Sequence, residues 1–317
     1  MSRKILRFIL LTYLISWSVA LIAYLLHIRH GSLLSLPFLA FGYMPAPAYA
    51  TIILQKFVYR EPLAEYGLTL RTISPRWLLI TTVGFSWLIV FGTLLVVAIA
   101  GNMLGSVPFG RVDFTEAAFL QQLEVLSQEF FGEVPESLPI SPLAILILGT
   151  LQSTVTGFTL NFPFTLGEEL GWRGLLAEET RQWGFFRSNL FIGVIWGVWH
   201  APIIVQGHNY PGHEIGGIFM MTLLTTAFSF PLAYCRFKSG SIVGPAALHG
   251  IFNSLGMLTA LFVVGANPLV GFVAGIAGIV VISLLTLAIV LLDRRFVREY
   301  RTIGGAPQFG QTKRLSP

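Results

Sequence analysis

Runs of roughly twenty apolar residues, separated by short charged connections, recur from one end of this 317-residue chain to the other. A stretch of that length crosses the hydrocarbon core of a bilayer as a helix. Inside lipid every backbone polar group must find its partner within the protein, which leaves helices or a closed barrel. With 54% hydrophobic residues, 11% charged residues and a mean hydropathy of +0.74, the chain has too little polar surface for a water-soluble globule. The expected fold is all-α: a polytopic membrane bundle of about eight transmembrane helices.

The candidate spans are Ile5–Leu26, Leu33–Val58, Trp77–Leu104, Leu143–Leu176, Asn189–Val205, Ile215–Tyr234, Ile242–Val264 and Leu269–Leu292. The first follows Arg3, Lys4 and Arg7 as a signal peptide would, but it is too long for an h-region and no small-x-small site follows. It is therefore read as a helix. Pro37, Pro45 and Pro47 interrupt the second, which predicts a kinked or broken helix. Gly271 and Gly275 form a Gly-x-x-x-Gly in the eighth, a spacing that favours close helix packing.

The connections alternate in charge. The N-terminus, the Lys56–Arg76 loop, the Arg181–Arg187 loop, the Arg236–Lys238 loop and the C-terminal tail hold nearly all the basic residues. Between them, 105–142 carries Asp113, Glu116, Glu124, Glu129, Glu133 and Glu136 against a single Arg111, and 265–268 is uncharged. By the positive-inside rule both termini are cytosolic. The same distribution explains a pI near 9.5 without nucleic acid, because the cations form no single face or stripe. Arg294, Arg295, Arg298 and Arg301 orient the tail, and anionic headgroups are a second use for them. Cys235 is the only cysteine, so no intramolecular disulfide or Cys-x-x-Cys motif exists. In the long acidic connection, Phe119, Leu120, Leu123 and Leu126 share a face of a helix over 114–128. Two readings are open: an amphipathic helix on the outer surface, or a loop helix packed on the ends of the spans.

An ionisable group inside a membrane segment costs about 2.5–3.5 kcal/mol at the helix centre and persists where it has a partner or a task. Glu168, Glu169 and Arg173 stand in the fourth span, His200 in the fifth, and His249 with Asn253 in the seventh. Counted from the cytosolic edges, Glu168, His200 and His249 lie at similar depth, roughly 10–17 Å in at 1.5 Å per residue. Glu169 and Arg173 are i and i+4, the spacing of an ion pair on one helix flank. Glu168 points about 100° away, free to face a cavity. A carboxylate in an apolar pocket accepts a proton from water more readily than one in solvent, so Glu168 is the candidate general base; the bland reading makes it a second partner for Arg173. His200 follows Trp196 by one turn, on a helix whose Gly193, Gly197 and Ala201 let a neighbour approach closely. His249 and Asn253 share a face and could donate to a developing oxyanion, or serve only as polar glue between helices. His208 and His213 fall in the 206–214 loop at the opposite end and read as solvated loop residues.

Glu168-Glu169-Leu170-Gly171-Trp172-Arg173, Trp196-Gly197-Val198-Trp199-His200 and His249-Gly250-Ile251-Phe252-Asn253 occur in that order on successive spans. This constellation resembles the type II CAAX prenyl endopeptidases and their bacterial relatives, the CPBP intramembrane proteases. The second motif is usually written with Phe where this chain has Trp196. The resemblance covers residues 143–264, flanked by an N-terminal helical region (1–142) and a last span with a basic tail (265–317). It implies an eight-helix core in a prokaryotic cell membrane, with a conical cavity open to the cytosol. In it Glu168 and His200 activate a water against a peptide carbonyl, while His249 and Asn253 stabilise the oxyanion; Glu169, Arg173 and Trp196 support them. The implied partners are the bilayer and a membrane-associated protein or peptide substrate, with no nucleic acid.

No cofactor is required in that reading. The alternative is a divalent metal such as zinc held by Glu168, His200 and His249, with one position left for water, although no His-Glu-x-x-His motif is present. Outside proteolysis, the same buried groups suit a proton or ion path in a transporter or a silent scaffold; no inverted repeat supports the transporter. The chain ends in Arg-Leu-Ser-Pro, so it is not itself a prenylation substrate.

Overall fold

A computed structural model describes residues 2–28, 32, 34–130 and 134–302. The predicted start of the second span at Leu33, Glu133 of the acidic connection and the C-terminal Arg-Leu-Ser-Pro lie outside the described residues. The helices are α1 (Arg3–Leu25), α2 (Ser35–Tyr59), α3 (Pro75–Met103), α4 (Glu116–Phe130), α5 (Pro142–Phe158), α6 (Phe162–Trp183), α7 (Phe185–Val205), α8 (Glu214–Ser239), α9 (Val243–Phe262), α10 (Ile276–Leu292) and α11 (Arg294–Glu299). The all-α polytopic bundle expected from the apolar runs is what forms.

Six of these helices, α1, α2, α3, α7, α8 and α9, are long and apolar enough to cross a membrane singly. The predicted fourth span is not one helix: α5 and α6 meet at a bend of 55° and make a seventh span only as a pair. The break has a local cause. Thr159 and Leu160 leave the helix, and Asn161-Phe162-Pro163 restarts it with proline in the first turn, where its missing N–H costs nothing. α10, at 17 residues, is about 26 Å long and short of a ~30 Å hydrocarbon core. The predicted eighth span started earlier, at Leu269, but residues up to Gly275 form turns. Gly271 and Gly275 therefore lie in a turn and not in a helix; a Cβ there would strike the carbonyl of Phe109 and the backbone of Leu269 and Val270 respectively.

Burial follows the stripe each helix presents. In α1, Ile5, Phe8, Thr12, Ser16 and Ala20 face inward, while Leu6, Leu10, Leu14 and Leu21 point out toward lipid. α2 stays continuous through its prolines by loosening into π-helical turns at Phe38–Tyr43 and Leu54–Tyr59. Pro45 cannot donate to the carbonyl of Phe41, and the Tyr49 hydroxyl takes that acceptor at 2.8 Å. α7 crosses α8 where Gly193 and Gly197 meet the backbone of Thr226 and Thr222, and the Thr225 hydroxyl donates to the Gly193 carbonyl at 2.9 Å. α5 and α9 come equally close at Gly157 and Gly250, whose missing side chains let the two backbones touch.

The connections sort to opposite ends, as the charge alternation requires. At the basic end Lys4 pairs with Glu61 and, at 3.1 Å, with Glu179. Glu178 pairs with Arg181 at 3.1 Å, and Lys238 with Asp293 at 2.5 Å. α11 docks there through Phe296 and Tyr300, and the Asp293 side chain caps it by accepting from the Phe296 amide at 3.0 Å. Three partners hold the Asp293 carboxyl below its usual value against the opposing effect of burial: the Lys238 ammonium, the Phe296 amide and the Tyr234 hydroxyl.

At the other end a two-residue antiparallel ladder pairs β1 (Arg111–Val112) with β2 (Val263–Val264), the main departure from an all-helical chain. The predicted seventh span ran to Val264; the structure ends its helix at Phe262. α4 packs on this end through Phe119, whose ring lies 5.4 Å from that of Phe262, the second of the two readings of its apolar face. In the 206–214 loop, buried Tyr210 donates to the Ala274 carbonyl at 2.8 Å, and His208 and His213 are half-buried.

Candidate active site

α6 brings Glu168 and Glu169 into the bundle immediately after the bend. The Thr165 hydroxyl one turn earlier donates to the Ala246 carbonyl of α9 at 2.8 Å, fixing the depth of α6 against that helix. Both carboxylates are buried, Glu168 at 3% and Glu169 at 0% exposure. Beyond them the helix widens into a π-helical stretch, Leu170–Leu176, which carries Arg173. Such stretches occur frequently at functional sites.

Arg173 donates to Glu169 Oε1 at 3.1 Å, the ion pair expected from the i, i+4 spacing, and to the Ser229 hydroxyl of α8 at 2.9 Å. His249 of α9 reaches the same carboxylate, with Nδ1 3.0 Å from Glu169 Oε1. An ionised carboxylate only accepts, so this contact places a proton on Nδ1. Glu169 thus ties three helices together: its own, α8 through Arg173 and α9 through His249.

Glu168 faces the other way. Its Oε2 accepts the indole N–H of Trp196 at 3.0 Å, while Oε1 has no hydrogen-bond partner among the described residues. Arg173 makes its ion pair with Glu169 and not with Glu168. His200, one turn along α7, puts Nδ1 2.8 Å from the Trp196 carbonyl. A carbonyl can only accept, so Nδ1 carries the proton and Nε2 of the neutral ring keeps its lone pair. His200 and Glu168 are not hydrogen-bonded to each other; Trp196 links them, by its indole to one and its backbone to the other. Asn253, one turn beyond His249, is exposed and has no hydrogen-bond partner among the described residues. Nε2 of His249 is likewise unpartnered among them.

The sequence reading singled out Glu168, Glu169, Arg173, Trp196, His200, His249 and Asn253, and the structure gathers the first six around Trp196 and Glu169. Among the described residues no three His, Cys, Asp or Glu side chains form a group that could hold a metal ion. The Nδ1 contacts of His200 and His249 run to the Trp196 carbonyl and to Glu169 and leave both Nε2 atoms without a hydrogen bond among the described residues.

Ser229, Asn161 and Phe228 went unread. Ser229 holds the second guanidinium nitrogen of Arg173, and a single serine in an apolar helix carries no signal for that. Asn161, whose amide donates to Ser254 Oγ at 2.8 Å and to the Gly250 carbonyl at 3.3 Å, secures α9 to the bend. Its position before Phe-Pro is a helix-start signal that could have been found. Phe228 lies tilted 4.5 Å from Phe252 and edges onto His249 at 6.4 Å.

Comparison with known proteins locates the resemblance on the same stretch. Residues 142–255 match the family described as "Type II CAAX prenyl endopeptidase Rce1-like", a segment running from the start of α5 through most of α9. A stretch of 44 residues is 34% identical to a protein named CAAX prenyl protease 2 from Methanococcus maripaludis, covering 14% of this chain and 16% of that one. The chain thus aligns with only a small part of that curated relative. The family likeness read from the three motifs stands over the region that contains them all, and α1 to α4, α10 and α11 lie outside it.

Proposed function

We propose that this chain, similar over residues 142–255 to the type II CAAX prenyl endopeptidases, is an intramembrane endopeptidase that hydrolyses a peptide bond of a membrane-associated protein or peptide. The observation that carries the reading is convergence: motifs from three helices meet inside the bundle, with Trp196 on Glu168 and His249 on Glu169.

In this mechanism a water gives one hydrogen bond to Glu168 Oε1 and the other to Nε2 of His200, both acceptors, so its oxygen lone pair faces the scissile carbonyl. Glu168 takes a proton as the oxygen attacks. The tetrahedral oxyanion is met by the Asn253 amide and by His249. Because Nδ1–H of His249 is already given to Glu169, donation from Nε2 requires the doubly protonated ring, whose charge Glu169 balances. Collapse breaks the C–N bond, and the proton held by Glu168 passes to the leaving amine. No metal enters these steps. The basic end of the bundle is assigned to the cytosol by the positive-inside rule, with the cavity opening toward it.

The test is cleavage of fluorogenic membrane-anchored peptides, prenylated and unprenylated, by purified protein in liposomes. Wild type, Glu168→Gln and chelator-treated wild type are compared. Cleavage abolished by Glu168→Gln but resistant to the chelator supports the glutamate mechanism, and loss in both moves the assignment to a metalloprotease. Wild type that cleaves nothing returns the transporter and scaffold readings.

A further inference from the structure

One side chain touches every charged or titratable member of the buried cluster except Glu169. The Trp196 indole N–H donates to Glu168 Oε2 at 3.0 Å, and the Arg173 guanidinium lies 4.4 Å from its ring centroid. Its carbonyl holds His200 Nδ1 at 2.8 Å, and its ring meets the His249 imidazole edge-on at 5.2 Å. Trp196 is itself 3% exposed, so these contacts are made without water. The phenylalanine usual at this position of the motif could supply the ring and the carbonyl, but it has no N–H to give.

We propose that Trp196 is a positioning residue for Glu168: its indole N–H holds Oε2 and so presents Oε1 alone to the reacting water. The inference rests on reading Glu168 as the general base. A carboxylate hydrogen-bonded at one oxygen by a rigid indole cannot rotate that oxygen into the site. The indole is rigid because it is clamped between the Arg173 cation and two imidazoles. Tryptophan here replaces a freely turning base with one aimed in advance, which is where orientation contributes to rate.

Two replacements separate the hydrogen bond from the packing. Trp196→Phe keeps a ring and removes the donor. Substitution of Trp196 by 3-(3-benzothienyl)alanine keeps the full bicyclic shape and puts sulfur where the N–H was. Each is expected to lower kcat roughly 10- to 100-fold, the range for losing a hydrogen bond to a charged group, with KM unchanged; some loss of thermal stability accompanies it, because Glu168 Oε2 is left buried and unpaired. If the benzothienyl protein keeps the wild-type kcat, Trp196 matters only by its bulk and the inference is overturned.

Glu168→Gln is run in the same assay. If it retains the wild-type rate, the base assignment fails whatever Trp196 does. If it is inactive while both Trp196 variants are fully active, only the positioning inference fails. A readout independent of substrate is the ¹⁵N-indole resonance of Trp196 in detergent, assigned by its disappearance in Trp196→Phe. That signal is expected to move on Glu168→Ala and to stay in place on the remote Asp293→Asn. A resonance unaffected by Glu168→Ala would falsify the hydrogen bond itself.

Discussion

Removing Arg173 tests the buried cluster most directly. Arg173→Met keeps much of the side chain's length but strips the charge from a pair whose side chains are 1% and 0% exposed. Breaking one side of a fully buried ion pair costs about 3–5 kcal/mol, chiefly because the surviving charge is left without compensation. Two effects lower this cost and one raises it. His249 still contacts Glu169 Oε1, and a membrane protein's unfolded state finds polar partners of its own; both reduce the penalty. Loss of the cation over the Trp196 ring adds about 0.5–2 kcal/mol. The expected cost is therefore about 3 kcal/mol, near the low end of the range. Glu169→Gln in the same background removes the orphaned charge, so the double variant should be more stable than Arg173→Met alone by at least about 1 kcal/mol, within the usual range of coupling for touching residues. Cys235 is the chain's single cysteine and is buried, so a thiol-reactive dye reports opening during thermal or denaturant unfolding in micelles. A single variant within about 1 kcal/mol of wild type, or a double variant whose loss is the plain sum of the two singles, would refute the reasoning.

Gly157→Ala should destabilise the protein by about 1–3 kcal/mol, since the added methyl runs into the Ile251 backbone where α5 crosses α9. The dye-accessibility assay reads this, and a neutral result would mean that the crossing is looser than described. At the basic end the pH dependence has a definite sign. Asp293 has a carboxyl lowered from its usual value, so the stability it gives to α11 is present above the unfolded value near 3.9 and is lost as pH falls through the lower folded value. Hydrogen-exchange protection of residues 294–300, relative to the intrinsic rate at each pH, should therefore fall below about pH 4 in wild type. In Asp293→Asn that protection should be low and lack the acid dependence; identical profiles would remove Asp293 from the account.

That the chain is a bundle of membrane helices was legible because the apolar runs are long, and the segregation of loops because most arginines and lysines fall in alternate connections; the count was not, since eight expected spans became six single helices and one bent pair. The Glu169–Arg173 pair could be read because both residues lie on one helix, where spacing fixes geometry. What the sequence could not show was tertiary in origin. The His249 hydrogen bond crosses to Glu169 on α6, and the Trp196 indole, 28 residues away, reaches Glu168. The 55° bend was hidden by hydropathy, since Thr159, Leu160 and Asn161 interrupt the apolar run too briefly to divide it. The β1–β2 ladder is two residues long and joins segments about 150 residues apart, beyond the reach of any periodicity.

The glycine crossings divide the surface of these helices into two kinds of position with different futures under mutation. Where Gly193 and Gly197 lie on the threonines of α8, and Gly157 on Gly250, backbone meets backbone with no side chain between them to absorb a change. On the outward faces of α1 and α10, Leu6, Leu10, Leu14, Leu284 and Leu291 are exposed, and a lipid environment accepts one apolar residue there as readily as another. Drift among distant homologues should therefore rewrite the outside of the bundle freely while its few glycines stay fixed. Two such proteins could share almost no outward-facing residue and still hold Glu168, His200 and His249 in the same relative places.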